Sequence, residues 1–379
     1  MVRICIDARP GVVARGTGIG NYTYQLVHCL ARQNTRHEYY LLWPDDGTSP
    51  WQLPSNFSFH PMTRKRREEM IYLPKWLENH GIVLYHAPDN GLHAFPCEQV
   101  QLVVTIHDLI PFVMPETVRR GYRRNFLEKV PEIADRAQAV ITVSQRAKQD
   151  IRSILNMPEQ KVQVIYPAQE QIFSEKTTNR ANAYLHRRYG VSAPFVLYSG
   201  GLNPRKNVRE LIYSFAKARQ YFHRDRLLVI PGGISEEAQR LLELCRALSV
   251  ENKVIFPGFV SLDDLAAFYQ VAELFVYPSL YEGFGLPPLE AMASGTPVVS
   301  SPVPSVVELA SQACLIFNPE DTTALVDHLH RGLADQTLRD TIRQKGSAVA
   351  AGLNWDNTAK QTLEVYHKLL GIPLAGENN

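Results

Sequence analysis

The chain has 379 residues, 45% hydrophobic and 21% charged, with a formal net charge of +2 at pH 7. That length suits two or three domains, and the composition is that of an ordinary globular protein rather than a disordered or fibrous one. A charge so near zero lacks the positive field that nucleic-acid binding exploits, so no nucleic-acid partner is expected.

Cys5, Cys29, Cys97, Cys245 and Cys314 lie far apart and form no CxxC pair. That usage suggests a reducing compartment, with thiols serving as small hydrophobes. The start, MVRICIDARP, places charges at positions 3, 7 and 9 and does not read as a signal peptide. No run of 18 apolar residues occurs, so no membrane-spanning helix is expected, and the location is read as cytoplasmic.

Short β-branched runs recur in the first half: VRICID (2–7), EYYLLW (38–43), VLYHA (83–87), LVVTIHD (102–108), AVITVS (139–144) and KVQVIY (161–166). Helical stretches at 20–31 and 118–135 separate some of them. Strands alternating with helices imply a parallel sheet with crossovers. After YPAQEQIFSEKTTNR (166–180) the alternation restarts with PFVLYSGG (194–201), a helix over 207–219, LLVIPGG (227–233), KVIFPGF (253–259), ELFVYPS (273–279), PVVSS (297–301) and ACLIF (313–317). The tail 354–370 reads as one amphipathic helix. The expected organisation is an N-terminal domain over 1–175, a C-terminal domain over 190–355 and a final helix over 356–371.

Three glycine-opened segments follow strands. The first, ARPGVVARGTGIGNYTYQL (8–26), has Gly16, Gly18 and Gly20 in GxGxG spacing, short of a full dinucleotide fingerprint; no GxxxxGK[ST] of a P-loop is present. The second, GGLNPRKN (200–207), opens the backbone at Gly200 and Gly201 and places Arg205 and Lys206 where a phosphate could be met, by a fork and by a point charge. The third is LYEGFGLPPLEAMASG (280–295). Pro287 and Pro288 suit the first turn of a helix, and Gly295 suits its end. Gly283 and Gly285 let main-chain N–H groups approach an anion at a helix start.

The third loop also carries Glu282 and Glu290. Carboxylates repel a diphosphate, so they are read as gripping the polyols either side of it, as in a nucleotide sugar. The plainer alternative makes Glu290 a surface residue favoured by the helix dipole and Glu282 a loop charge. His107 and Asp108 end the apolar strand 102–108, where side chains enter a ligand crevice; the alternative there is a capped structural histidine. No D-x-D pair and no clustered His/Cys set occurs, so no metal site is expected.

Taken together, these segments resemble the family 4 retaining glycosyltransferases of the GT-B type. Glu282 and Glu290 match the E-x7-E signature within EGFGLPPLEAMASGTPVV. YSGGLNPRKN, FPGFVSLDDL (256–265), VTIHDLIPFVMPE (104–116), ICIDARP with GTGIGNYTYQLV, and NWDNTAKQTLEVY match in order, so the resemblance spans nearly the whole chain.

It implies an α/β GT-B fold: two Rossmann-like, doubly wound domains facing a central cleft, with the C-terminal helix crossing back to the N-domain. The first domain is expected to bind acceptor and the second the nucleotide sugar. Carried over, Glu282 contacts donor-sugar hydroxyls and Glu290 the ribose; Arg205 and Lys206 hold the diphosphate with the amides of Phe284, Gly285 and Leu286. Gly18 approaches from the first domain, His107 lies beside the sugar, and Phe256 borders the nucleobase. Many members of the wider superfamily carry Arg where Gly201 stands, which shifts the neutralising load onto Arg205 and Lys206.

The implied function is metal-independent hexosyl transfer with retention, in bacterial cell-surface polysaccharide assembly. GDP-mannose is favoured over UDP-hexose as donor, the acceptor is a saccharide or lipid-linked saccharide, and no cofactor is required. A non-catalytic nucleotide-sugar-binding or scaffold subunit is the alternative. The basic clusters TRKRREE (63–69) and RRGYRRNF (119–126) suggest peripheral contact with anionic lipid on the inner face of the cytoplasmic membrane.

Overall fold

The computed structural model describes residues 1–33, 36–44, 50–62, 66–175, 181–233 and 235–373, without the side chains of Arg66 and Arg67. The basic run 63–67 and the end of the expected linker, 176–180, thus lie outside the described residues or side chains. The chain divides into two compact units, Met1–Pro167 with Asn354–Asn379, and Ala168–Leu353. Residues 168–175, expected with the first half, cluster with the second. Gln169 donates to the Ala350 carbonyl at 2.9 Å, and buried Phe173 packs edge-on against Tyr269 at 5.5 Å.

Among the described residues, the first unit is built on a sheet of β1 (Arg3–Asp7), β2 (Glu38–Trp43), β3 (Phe57–Pro61), β4 (Ile82–Ala87), β5 (Gln101–Ile106), β6 (Ala139–Thr142) and β7 (Val162–Val164). Their order is β3-β2-β1-β4-β5-β6-β7, with every pairing parallel. Central strands are buried along nearly their whole length, as a parallel sheet covered on both faces requires. β3 is absent from the sequence reading; it is an edge strand that ends in proline and is half open to solvent, so its apolar signal is weak. The helices used below are α1 (Gly18–Arg32), α2 (Arg66–Asn79) and α3 (Arg120–Arg136).

The second unit carries β8 (Phe195–Leu197), β9 (Leu227–Val229), β10 (Val254–Ile255), β11 (Leu274–Tyr277), β12 (Val298–Ser300) and β13 (Leu315–Ile316), ordered β10-β9-β8-β11-β12-β13 and parallel throughout. Its relevant helices are α4 (Val208–Ala218), α5 (Leu262–Val271) and α6 (Leu286–Ala293). Strand order reverses once in each sheet, between β1 and β4 and between β8 and β11. In doubly wound sheets the crevice outside the carboxyl ends of the strands at such a reversal is where ligands bind.

The last helix, α7 (Trp355–Leu370), packs on the first unit, as expected. Thr358 donates to the Tyr166 carbonyl at 2.8 Å, and Arg32 pairs with Asp356 at 2.9 Å. The buried Tyr366 hydroxyl meets His86 Nδ1 at 2.6 Å.

Candidate active site

At the reversal of the second sheet, two loops leave neighbouring strands. After β8 the chain passes Gly200 at φ +134°, a conformation that favours glycine, and then a single 3-10 turn, Pro204–Lys206. After β11 it passes Ser279 and Glu282 to Gly285, at φ +94°, which opens α6. A Cβ at Gly285 would also sit 3.1 Å from Val303, so this glycine serves the turn itself. Ser305 pins the loop by donating its N–H to the Phe284 carbonyl at 2.9 Å and its hydroxyl to the Gly285 carbonyl at 2.6 Å.

The two loops bring Arg205, Lys206 and Glu282 into one cluster. Glu282 Oε1 lies 2.6 Å from Lys206 Nζ and 2.7 Å from the Arg205 guanidinium. It also accepts from Ser279 Oγ at 2.5 Å and from the Tyr277 hydroxyl at 3.1 Å. Lys206 donates to Tyr277 as well, at 2.8 Å, and Arg205 to the Tyr281 carbonyl. The three charged side chains are only 10–13% exposed. Burial pushes the Glu282 carboxyl up, but Lys206 and Arg205 outweigh it and hold the group at about 2. Two cations against one carboxylate leave the cluster net positive. Oε2 takes no hydrogen bond among the described residues and is not sealed from solvent.

Glu290, in the first turns of α6, has the opposite character. Burial pushes its carboxyl up to about 7; the Tyr269 hydroxyl, donating at 2.9 Å, pulls it down, and nearby Glu170 raises it again. Ser199, following β8, shares a 2.5 Å hydrogen bond with the same Tyr269 hydroxyl. One sheet edge therefore presents an ionised carboxylate and one poised near neutrality. Gly201 lies exposed beside this edge, its carbonyl accepting from Tyr198 at 2.6 Å. Phe256 follows the edge strand β10 and is partly buried, three residues before Phe259, which is 84% exposed.

In the first unit, the GxGxG run separates by role. Gly16 has φ +93°, and a Cβ at Gly20 would lie 2.0 Å from the Ala14 carbonyl oxygen, so both are glycine for the fold's sake. Gly18 is the first residue of α1, two residues earlier than the sequence places that helix, and a Cβ there would meet nothing within 4 Å. Thr17 caps the helix by accepting from the Gly20 N–H at 3.2 Å.

His107 is clamped at both ends. Its N–H donates to Asn90 Oδ1 at 2.7 Å, and ring Nε2 lies 2.8 Å from the Pro88 carbonyl, which can only accept. The proton is therefore on Nε2, and Nδ1 is the acceptor. Burial lowers the imidazole to about 4 despite Pro88, so it is neutral at pH 7. The Tyr22 ring stands edge-on at 4.7 Å. Asp108 caps the following turn, accepting from the Ile110 N–H at 3.0 Å.

Sequence reasoning missed Tyr277, Ser279, Tyr269, Ser199 and Asn90. Tyr277 and Ser279 lie within five residues of Glu282 at the end of an apolar strand, the one positional hint they gave.

Residues 189–349 match the family model described as Glycosyl transferases group 1, and residues 16–168 match that described as Glycosyltransferase Family 4. The chain is 31% identical over 294 residues to O-antigen chain mannosyltransferase B of Escherichia coli, covering 78% of this chain and 76% of the relative. It is 28% identical over 310 residues to the serotype-specific mannosyltransferase WbdA of E. coli, which covers 80% of this chain but 37% of that much longer one. Among solved structures, sucrose-phosphate synthase from Thermosynechococcus elongatus superposes with a TM-score of 0.77 at 23% identity, over 98% of this chain and 100% of that one. Anabaena HepE in complex with UDP-glucose gives 0.75 at 19% identity, over 97% and 100%. At such identities the likeness is one of fold.

Proposed function

The chain belongs to the glycosyltransferases of family 4, and from that premise we propose that it is a retaining, metal-independent mannosyltransferase. It takes mannose from GDP-mannose and passes it to a saccharide or lipid-linked saccharide in bacterial surface-polysaccharide assembly. The mannosyltransferase relatives support mannose over the UDP-hexose alternative.

The observation that carries this reading is the net-positive cluster of Arg205, Lys206 and Glu282 at the strand-order reversal of the second sheet. Arg205 and Lys206 donate to the pyrophosphate, aided by the amides of Phe284, Gly285 and Leu286 and by the opened backbone at Gly200 and Gly201. Glu282 turns its open Oε2 to a donor-sugar hydroxyl, while Oε1 keeps the two cations in place. Glu290 accepts from the ribose diol, and Phe256 borders the base. In the first unit, Gly18 leaves the start of α1 free of a side chain, and neutral His107 offers Nδ1 as an acceptor for a sugar hydroxyl.

The bond from the anomeric carbon to the diphosphate oxygen breaks as the acceptor oxygen bonds to the same face. The acceptor proton passes to the departing diphosphate, so no protein nucleophile is needed. GDP and an α-mannoside leave. The first unit is the acceptor-binding half, and the second unit the donor-binding half.

Peripheral contact with anionic lipid, on the inner face of the cytoplasmic membrane, fits the start of α3. Residues 119–124, RRGYRR, are all exposed. Cations in a helix's first turn oppose its dipole, so they serve something other than the helix. Sedimentation with anionic liposomes at low salt, comparing the wild type with Arg119, Arg120, Arg123 and Arg124 changed to Ser, tests it; equal binding ends the idea.

Incubation with a panel of nucleotide sugars and mannose-terminated acceptors tests the main reading. Acceptor-dependent release of GDP with an α-linked product is expected. Failure to turn over any nucleotide sugar, or an inverted product, would contradict it.

A further inference from the structure

The reversal point of the first sheet holds a second cluster, on residues to which the reading above gives no role. Asp7 ends β1 fully buried, and both its oxygens accept from the Arg9 guanidinium, at 2.9 and 2.6 Å. Arg9 also donates to Glu69 of α2 at 2.8 Å. Asp89, in the loop after β4, has a side chain 7% exposed; its Oδ2 is bonded to His93 Nδ1. Among the described residues Asp89 Oδ1 is buried with no partner, and so is the Tyr85 hydroxyl, which lies within the field of Asp7, Arg9 and Asp89. The His93 side chain is 51% exposed.

The bland account, that the His93–Asp89 pair merely braces its loop, is weak. The backbone already fixes that loop: Asn90 N–H bonds the Thr105 carbonyl at 2.9 Å, and Ala94 N–H the Gly91 carbonyl at 3.0 Å. Leaving buried polar atoms unpartnered opposes folding and calls for an explanation. The arrangement, a surface imidazole aligned by a buried carboxylate, is one that fixes which ring nitrogen faces outward. The same loop supplies Pro88 and Asn90, which hold His107. Tyr122 of α3, 42% exposed, reaches it too, with its hydroxyl beside Asn90.

We propose that His93, aligned by Asp89, is the residue of the first unit that contacts a hydroxyl of the acceptor saccharide, and that this subsite takes an uncharged sugar. Nδ1 is committed to Asp89, so Nε2 is the contact atom. Three carboxylates (Asp7, Glu69 and Asp89) against Arg9 and His93 leave the cluster net negative even with the imidazole charged. At His93 itself that charge opposes a phosphorylated or uronic sugar, against the pull of the four arginines that flank Tyr122, whereas hydroxyls are welcome as donors or acceptors. The half-exposed ring of Tyr122 offers an apolar face for sugar C–H groups. This inference rests on the reading of the first unit as the acceptor-binding half.

The test has two arms. In the first, imidazole resonances of the isotopically labelled full chain are followed by NMR as methyl α-D-mannopyranoside is added, without donor. The resonance missing from His93→Ala identifies His93. It should move with the mannoside and less with mannose 6-phosphate. No movement, or a larger response to the phosphate, overturns the proposal; this arm reads sugar contact even where no nucleotide sugar is turned over. In the second, with GDP-mannose as donor and the mannoside as acceptor, His93→Ala should raise acceptor KM about 10-fold and leave donor KM unchanged. His93→Gln should recover most of that loss and Asp89→Asn should share it. An unchanged acceptor KM, or equal losses for donor and acceptor, would refute the assignment.

Discussion

Substituting Glu282 by Gln keeps the side chain's shape and removes its charge. The carboxyl is held at about 2, against an ordinary 4.5, a preference for the charged form of about 3 kcal/mol. The side chain is only 10% exposed, so solvent screening takes little from that figure. In a unit of this size the variant should melt about 6–12 °C lower at pH 7. Because the folded value is depressed, the stabilisation is complete above the ordinary 4.5 and is lost as pH falls through about 2. The gap between wild type and variant should therefore be flat near neutrality and close in acid. The same change frees Arg205 and Lys206 from a competing anion, so GDP should bind at least as tightly. Transfer should nevertheless fall about 10- to 150-fold, with the loss of a charge-assisted hydrogen bond to the sugar. Scanning calorimetry across pH, calorimetric titration with GDP and initial transfer rates measure the three effects. Equal melting temperatures at pH 7, or GDP affinity collapsing in step with the rate, would refute the reasoning.

Other substitutions probe separate parts of the site. Lys206→Ala removes a donor aimed at the leaving group and should cost about 100- to 1,000-fold in kcat, read from initial rates at saturating donor. Glu290 is pushed up to about 7 and accepts ribose hydroxyls best when ionised. Donor KM should therefore fall as pH rises through 7 in the wild type and stay flat in Glu290→Gln. Gly20→Ala drives a Cβ to 2.0 Å from the Ala14 carbonyl and should destabilise by several kcal/mol, roughly 3 or more. Gly18→Ala meets no atom of the described residues within 4 Å, so its melting temperature should match the wild type while transfer slows.

Much of this organisation is legible in the sequence where the signal is local. Glycines, prolines and charges at strand ends marked both loops of the second unit, because each loop follows its strand directly. The pairing of Glu282 with both cations was not legible. Lys206 lies 76 positions away, and only the parallel order that sets β8 beside β11 brings the loops together. The contrast between Glu282 and Glu290 was hidden for the same reason: Tyr269 comes from α5, and Glu170 from the segment before the second sheet. The sequence reading placed His107 beside the sugar without saying which of its atoms would act. Burial keeps the ring neutral, and Pro88, delivered by the neighbouring strand's loop, holds its proton on Nε2 so that Nδ1 accepts. Residues 168–175 lack any period that ties them to one half; their place depends on Gln169 and Phe173 finding partners in the second unit.

The central claim is that Arg205, Lys206 and the loop amides neutralise the pyrophosphate without a metal ion. Mannose transfer from GDP-mannose, timed after exhaustive treatment with EDTA and again after adding Mn²⁺, addresses it most directly. The account predicts the same initial rate in both, lost in each when Lys206 is changed to Ala. A rate that disappears with the chelator and returns with manganese would contradict it.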